Sequence, residues 1–333
     1  MITGNLFHIK ATNGLFFYGL DYLRDNIDLV RVVLVRPGFE QRVRDVLPSA
    51  NVISCSLARF LLEVLRASLW GDLLYTPTSH PLPLLNRQWI VLHDSYPFEV
   101  GPKSKLKRFL LRWSLAMSRC RVAYINRSEA QPFVSSLGVD AGRMVFAPNR
   151  FPEASSHVSS VSSPNGVTTV GLFGTDSAKK NYDRLFSVLR ATELSSLLAF
   201  RAYGHDTAYF RDIRGKFPDI QIELVRSDDE SIDAFMSGVD VLASVSEQEG
   251  FGRPFASALL AGLPVELLDR PVFREFFTGG ARFHPDIDAL VQSLPRLGDS
   301  RLSHVSYTAP AEVVEAYAMA NEEIRRLGSK ALR

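Results

Sequence analysis

Short β-branched and aliphatic runs alternate with amphipathic stretches along the 333 residues, and they do so twice, on either side of a Ser-rich segment. Parallel strands can be joined only by crossovers long enough to hold a helix, so this alternation predicts parallel sheets covered by helices on both faces. In the first half the strand candidates are 28–35 (DLVRVVLV), 51–54 (NVIS), 73–76 (LLYT), 89–93 (WIVLH), 122–125 (VAYI) and 144–147 (MVFA). In the second they are 167–173, 198–203, 220–225, 241–244, 264–268 and 281–283. Between the two halves, 152–166 (PEASSHVSSVSSPNG) has turn-forming residues and no hydrophobic periodicity, which is how a linker reads. The expected organisation is an α/β domain over 1–151, the linker, a second α/β domain over 167–309 and a helical tail over 310–333. The tail carries Arg325, Arg326, Lys330 and Arg333 toward its end, where cations complement the helix dipole, and it is expected to pack back across the domains.

Charge excludes one large class of partner. Lys and Arg number 38 against 36 Asp and Glu, a net charge of +2, whereas a nucleic-acid-binding domain carries a strongly basic footprint. Cys55 and Cys120 are too few for a disulfide framework or a four-cysteine metal site and read as buried thiols in a reducing compartment. The N-terminal MITGNLFHIKATNG lacks the charged start and apolar core of a signal peptide, so cytoplasmic retention is expected. The most apolar helix candidate, 57–70 (LARFLLEVLRASLW), is interrupted by Arg59, Glu63 and Arg66 and is shorter than the ~20 residues needed to span a bilayer, so it reads as an amphipathic packing helix.

The most specific stretch is 246–265, SEQEGFGRPFASALLAGLPV. Glu249, Gly250, Phe251 and Gly252 fall between the strand 241–244 and a helix beginning near Pro254. The glycines there let backbone N–H groups approach a ligand at a helix N-terminus, and proline suits the first helical turn.

This stretch resembles the hallmark of the retaining glycosyltransferases of family 4, S-x-x-E-G-F-G-x-P-x-x-x-E-A-x-x-x-G-x-P-V, through Ser246, Glu249, Gly250, Phe251, Gly252, Pro254, Ala258, Gly262, Pro264 and Val265. The resemblance implies a GT-B fold, two Rossmann-like doubly wound domains facing a central cleft, and sugar transfer from a nucleotide-diphosphate sugar with retention at the anomeric carbon. The family's second glutamate, which grips the nucleotide ribose, falls on Ser257, a hydroxyl where a carboxylate is usual. A second match, 170–184 (VGLFGTDSAKKNYDR), resembles the family's strand, glycine loop and lysine. It places Gly174 for close backbone approach and Lys180 on the residue that holds the donor diphosphate. Positive charge is needed there because the leaving group departs as a phosphate. The arginine common after that glycine is replaced by Thr175, with Lys179 as compensation, and the nucleotide base is expected near Val225 and Arg226.

In the first half, IVLHDSYPFE puts His93 and Asp94 at the carboxyl end of a strand, where doubly wound folds bind ligands. His93 resembles the family's histidine close to the transferred sugar and acceptor. A lone histidine at a strand end is also a common structural residue, as is His80 in TPTSHPLP. Asn13 and Gly14 resemble the loop after the family's first strand and join His93 and Asp94 as acceptor-side candidates, while 126–150 resembles a structural segment, with Arg150 where glycine is usual.

Residues 103–121, KSKLKRFLLRWSLAMSRCR, hold seven Lys or Arg and no acid, with Leu106, Phe109, Leu110, Trp113 and Leu115 forming an apolar side. A basic amphipathic helix with an aromatic residue suits an anionic membrane surface, and a core-facing helix with a solvated basic face has the same pattern. The expectation is a glycosyltransferase with Glu249, Lys180 and His93 as catalytic candidates, acting on a glycan or lipid-linked acceptor in bacterial surface polysaccharide assembly. It would use a UDP- or GDP-sugar, with no metal and no other cofactor, from the cytoplasm or the inner face of the cytoplasmic membrane. The alternatives are a non-catalytic GT-B-like binding or assembly protein, for which Ser257 and Thr175 speak, and an epimerase or phosphorylase on the same fold.

Overall fold

The computed structural model describes residues 1–153, 166–297 and 307–330. The chain divides into two compact units, one formed by Met1–Arg150 with Ala311–Arg333 and the other by Phe151–Pro310. Most of the linker expected at 152–166, from 154 to 165, lies outside the described residues.

The first unit holds seven strands: β1 (Ile2–Asn5), β2 (Val30–Val35), β3 (Val52–Ser54), β4 (Leu73–Thr76), β5 (Gln88–Leu92), β6 (Arg121–Tyr124) and β7 (Met144–Phe146). All pair in parallel, in the order β3-β2-β1-β4-β5-β6-β7. β1 is absent from the sequence expectations because ITGN is mostly small or polar. It is nevertheless an interior strand, between β2 and β4, and fully buried. Its polar side chains are satisfied internally, as burial demands: Thr3 donates to Asp72 at 3.0 Å and Asn5 to Thr76 at 3.1 Å.

The register fixes which face each strand residue covers. Thr3 lies beside Val32 and Leu74, Thr76 beside Ile90, Ile90 beside Val122, and Val122 beside Met144, so these residues share one face of the sheet. On that face the helix Leu57–Leu69 packs Phe60 and Val64 against Val32, Leu34 and Leu74, with the Cys55 thiol buried beneath it. The helix Ser104–Ala116 packs Leu111 and Leu115 against Ile90, Leu92, Val122 and Tyr124, next to the buried Cys120.

The first helix packs as the amphipathic helix expected, and the second corrects the sequence reading of its apolar side. In the first, Phe60, Val64 and Ala67, at i, i+4 and i+7, are buried along with Glu63, and Leu57, Leu61, Leu62, Leu65 and Leu69 point outward. In the second, the expected apolar side splits, with Leu115 inside and Leu106, Phe109, Leu110 and Trp113 exposed. Each helix has more apolar residues than one sheet contact can bury, and the pattern alone cannot say which set faces in. Among the described residues no helix is long and apolar enough to cross a membrane.

The opposite face carries the helix Gly14–Asp25 and the tail, which folds as the helix Ala311–Ser329. Asn26 donates to Asn321 at 2.8 Å, Arg325 grips Asp28 through two bonds at 2.7 and 2.9 Å, and Arg121 pairs with Glu323 at 2.9 Å. The chain's last helix thereby closes on its first strand, with the Met1 ammonium donating to the Gly328 carbonyl at 2.7 Å.

The second unit holds β8 (Thr168–Phe173), β9 (Leu198–Gly204), β10 (Ile222–Arg226), β11 (Val241–Ser244), β12 (Val265–Leu268) and β13 (Arg282–His284), all parallel in the order β10-β9-β8-β11-β12-β13. One cluster joins Leu185, Phe186 and Leu189 of the helix Tyr182–Arg190 to Val170, Leu172, Phe200 and Ala243 of the sheet. A second, aromatic one packs Phe251 edge-on to Phe276 and tilted against Phe277.

A Cβ at Gly328 would lie 2.7 Å from Ile2 Cγ1, so the tail can approach β1 only with glycine there. Gly328→Val is expected to destabilise the protein by about 1–3 kcal/mol through overpacking. Urea denaturation measures it, and an unchanged midpoint would show that the tail does not seat on β1 in solution.

Candidate functional site

In the second unit the two motifs meet. β8 ends at Phe173 and the chain turns at Gly174, whose φ of +87° is a conformation that L side chains rarely adopt. A short 3-10 turn, Ala178–Lys180, follows, capped by Ser177 accepting from the Lys179 N–H at 3.3 Å. It returns Lys180 over the glycine: a Cβ at Gly174 would lie 2.6 Å from Lys180 Cε. The Tyr182 hydroxyl, 2.8 Å from the Gly174 carbonyl, fixes the turn from below. Lys180 Nζ then reaches Glu249 Oε1 at 2.6 Å, and both side chains are only about one-seventh exposed, 15% and 13%.

Glu249 comes from the connection that follows β11. Ser246, itself buried, donates to the same Oε1 at 3.0 Å. Burial pushes the carboxyl up, but Lys180, Lys179 and the bonds from Lys180 and Ser246 outweigh it and hold Glu249 below the usual carboxylate range. The site therefore keeps a charged carboxylate and a charged ammonium side by side with little water. Such a pair carries a desolvation cost that its attraction and hydrogen bonds must offset.

Gly252, at φ +88°, caps the helix Arg253–Leu260, with Pro254 in its first turn. Phe251 is turned away: its ring packs at 5.2 Å from Phe151 and 4.7 Å from Phe276, so at this position only the backbone is left to meet a ligand. Thr175 is likewise engaged internally. It is buried and its hydroxyl donates to the His205 carbonyl at 2.6 Å. Arg226 ends β10 with an exposed side chain, Ser257 is half-buried in the second turn of the Arg253–Leu260 helix, and Lys179 is half-buried beside the pair.

Three participants lay outside the sequence expectations for the site. Ser246 was visible only as a motif match, though a hydroxyl three residues before a buried carboxylate is a signal for its hydrogen bond. Asn181, at φ +58°, links the 3-10 turn to the helix Tyr182–Arg190 and donates to Glu247 at 3.4 Å. Gln248 Oε1 is buried without a hydrogen-bond partner next to Glu249 in sequence. Nothing local in the sequence signals either of the last two.

In the first unit the acceptor-side candidates lie after β1 and β5. Asn13 caps the helix Gly14–Asp25 without a side-chain bond, and a Cβ at Gly14 would meet nothing within 4 Å, so local packing does not demand glycine there. Asp94 is half-buried. His93 Nε2 lies 3.1 Å from the Pro77 carbonyl, which can only accept, so that nitrogen carries the proton. Tyr18 meets the ring edge-on at 4.7 Å. Burial takes the His93 pKa down to about 4, leaving a neutral imidazole whose Nδ1 is an acceptor. His80 stacks on His8 at 4.4 Å, and burial also lowers His80, with Lys10 adding to the shift. Burial, with His80, Arg36 and Lys10, takes His8 to about 4 as well. Among the described residues no group of three or more His, Cys, Asp or Glu could hold a metal ion.

No family model matches the chain. It is 26% identical over 227 residues to the O-antigen chain mannosyltransferase RfbU of Salmonella typhimurium, covering 65% of this chain and 62% of RfbU, so the chain spans less than two thirds of that relative's length. Among solved structures it is similar to the Anabaena protein HepE in complex with UDP-glucose, with a TM-score of 0.71 at 16% identity over 98% of both chains. It is also similar to WaaG, a glycosyltransferase involved in lipopolysaccharide biosynthesis, with a TM-score of 0.61 at 14% identity over 99% of this chain and 95% of WaaG. With its two all-parallel Rossmann-like sheets of seven and six strands, the chain has the GT-B glycosyltransferase fold.

The half-buried histidines give stability a defined pH dependence. Between pH 6.5 and about 4 the unfolded chain binds protons that folded His93 and His8 do not, so stability falls as pH falls through that window. His93→Gln, which keeps a donor for Pro77, is expected to recover about 2 kcal/mol of the loss between pH 7 and pH 5. Urea midpoints at the two pH values measure it, and equal losses in both proteins would show that His93 is not the neutral group described.

Proposed function

We propose that the protein is a glycosyltransferase that moves a sugar from a nucleotide-diphosphate sugar, a UDP- or GDP-sugar first, to a glycan or lipid-linked acceptor in lipopolysaccharide or related surface polysaccharide assembly. The single observation that carries this reading is the buried Lys180–Glu249 pair at the Gly174 turn, in a chain with the GT-B fold. The similarity to RfbU supports transfer in O-antigen assembly, and the UDP-glucose complex of HepE supports a nucleotide-sugar donor.

In this reading the amides of Gly250 to Gly252 and the Lys180 ammonium hold the diphosphate, and Glu249 accepts from sugar hydroxyls. Gly174 and Lys179 line the phosphate side, Arg226 lies by the base and Ser257 by the ribose. His93, with Asp94, Asn13 and Gly14, serves the acceptor side. The transition state is oxocarbenium-like, with negative charge growing on the leaving phosphate, so a fixed cation there lowers the barrier more than it tightens ground-state binding. Retention at the anomeric carbon follows from the resemblance to family 4. The charge needed at the diphosphate comes from lysine and backbone N–H groups, so turnover is expected to persist in EDTA, and its complete loss there would refute this part of the proposal. The basic helix Ser104–Ala116 brings the enzyme to the inner face of an anionic membrane.

The decisive experiment is thermal stabilisation by UDP, GDP, dTDP, CDP and ADP of wild type and Lys180→Ala. A nucleotide at 100 times its dissociation constant adds about 2.7 kcal/mol of stability. One nucleotide is expected to stabilise wild type and to do so far less in the variant, with turnover reduced on the matching donor. Stabilisation by none would favour the non-catalytic reading, in which Thr175 and Ser257 mark lost donor contacts.

A further inference from the structure

One face of the first unit shows water an unusual amount of hydrocarbon. On the helix Leu57–Leu69, the side chains of Leu57, Leu61, Leu62, Leu65 and Leu69, with Trp70 at its end, are 47–73% exposed. Their spacing of three and four residues gathers them on the side away from Phe60, Val64 and Ala67. On the helix Ser104–Ala116 and the residue after it, Leu106, Phe109, Leu110, Trp113 and Met117 are 44–63% exposed. Both helices pack on the same sheet face, as the shared register of Val32, Leu34, Leu74, Ile90 and Val122 requires. The connection from β4 to β5 belongs to that face too, since Leu82 and Leu85 pack into the cluster under Phe60. Within it, Leu84 is 70% exposed at φ +68°, a strained conformation that turns a leucine outward. Three successive crossovers thus present apolar side chains outward from one layer, where a monomer seldom leaves a large exposed apolar patch without a partner.

We propose that this whole face is a bilayer-docking surface, in which the leucine side of Leu57–Leu69 enters the headgroup region of an anionic membrane beside the basic helix. The inference rests on the reading of the protein as an enzyme that meets lipid-linked acceptors at a membrane. Charge complementarity selects the occupant. Lys105, Lys107, Arg108 and Arg112 are exposed, 103–121 contains no acid, and Arg59 and Arg66 flank the leucines. An isologous pair of copies would set these basic patches against each other, whereas anionic headgroups neutralise them. Trp70 and Trp113, one by each helix, are the residue type that settles at a headgroup boundary, and the Arg31 guanidinium lies over the Trp70 ring at 4.7 Å.

The test is co-sedimentation of the full chain with phosphatidylglycerol vesicles and with phosphatidylcholine vesicles, for wild type, Leu61→Glu/Leu65→Glu and Lys105→Gln/Lys107→Gln/Arg112→Gln. All substituted side chains are exposed, so both variants are expected to melt with wild type. Wild type is expected on phosphatidylglycerol and not on phosphatidylcholine, with binding weakened about tenfold or more in each variant. A Trp113→Phe background leaves Trp70 and the fully buried Trp89, so a blue shift of the emission on binding and quenching by brominated lipid, both expected, report the exposed Trp70. If the lysine and arginine variant loses binding while the leucine variant binds as wild type does, the basic helix alone docks and the inference falls while the membrane reading stands. If wild type binds neither vesicle, both fall. If the leucine variant turns a dimer into a monomer without weakening vesicle binding, the face pairs copies of the chain and the inference is overturned.

Discussion

Every strand in both sheets runs parallel to its neighbours, and this constraint organises the rest of each unit. A parallel pair needs a crossover, so each sheet is covered by helices on its faces and its strands are buried on both sides. The same geometry sends every strand's carboxyl end to one edge, where the connections are free of the ladder. The chemically distinctive residues follow these ends in each unit by itself: Gly174 after β8, Glu249 after β11 and Arg226 at the end of β10 in the second, His80 after β4 and His93 after β5 in the first. The tail serves the first sheet by covering the interior strand β1, and Gly328 is what lets it come close enough to do so.

Within the second unit the Lys180–Glu249 pair is an unusual choice for stability alone. Two charges at 2.6 Å with little exposure are costly to desolvate, and well-packed apolar residues often stabilise such a position as well or better. What the pair does supply is preorganisation. Lys180 is locked above Gly174, and Glu249 is held ionised by Lys180, Lys179 and Ser246. In the proposed reading an incoming diphosphate meets a cation already positioned and a sugar hydroxyl an acceptor already charged, which would leave little reorganisation for the reacting complex.

Much of this was legible in the residues. The strand candidates of both halves coincide with twelve of the thirteen strands, because β-branched runs between turn signals are local features. β1 escaped because its burial is tertiary: Thr3 and Asn5 are tolerated inside only through Asp72 and Thr76, some seventy positions away. At the site, the glycines, Lys180 and Glu249 were visible as motifs. That Phe251 turns into an aromatic cluster and that the Thr175 hydroxyl is spent on the His205 carbonyl follow from packing partners that the motif does not contain.

The two outward-facing helices show where periodicity stops informing. An apolar stripe signals that a helix has a surface to satisfy, but its burial depends on the width of the sheet contact beneath. In Leu57–Leu69, Phe60, Val64 and Ala67 fill that contact, and the five leucines are left over. Leucine there confers helix propensity no better than alanine would and carries a larger hydrophobic liability in water. Exposed leucines, a leucine held at positive φ and seven cations without an acid over 103–121 are therefore each costly to the isolated molecule. The proposed bilayer, a surface both apolar and anionic, would offset these costs together.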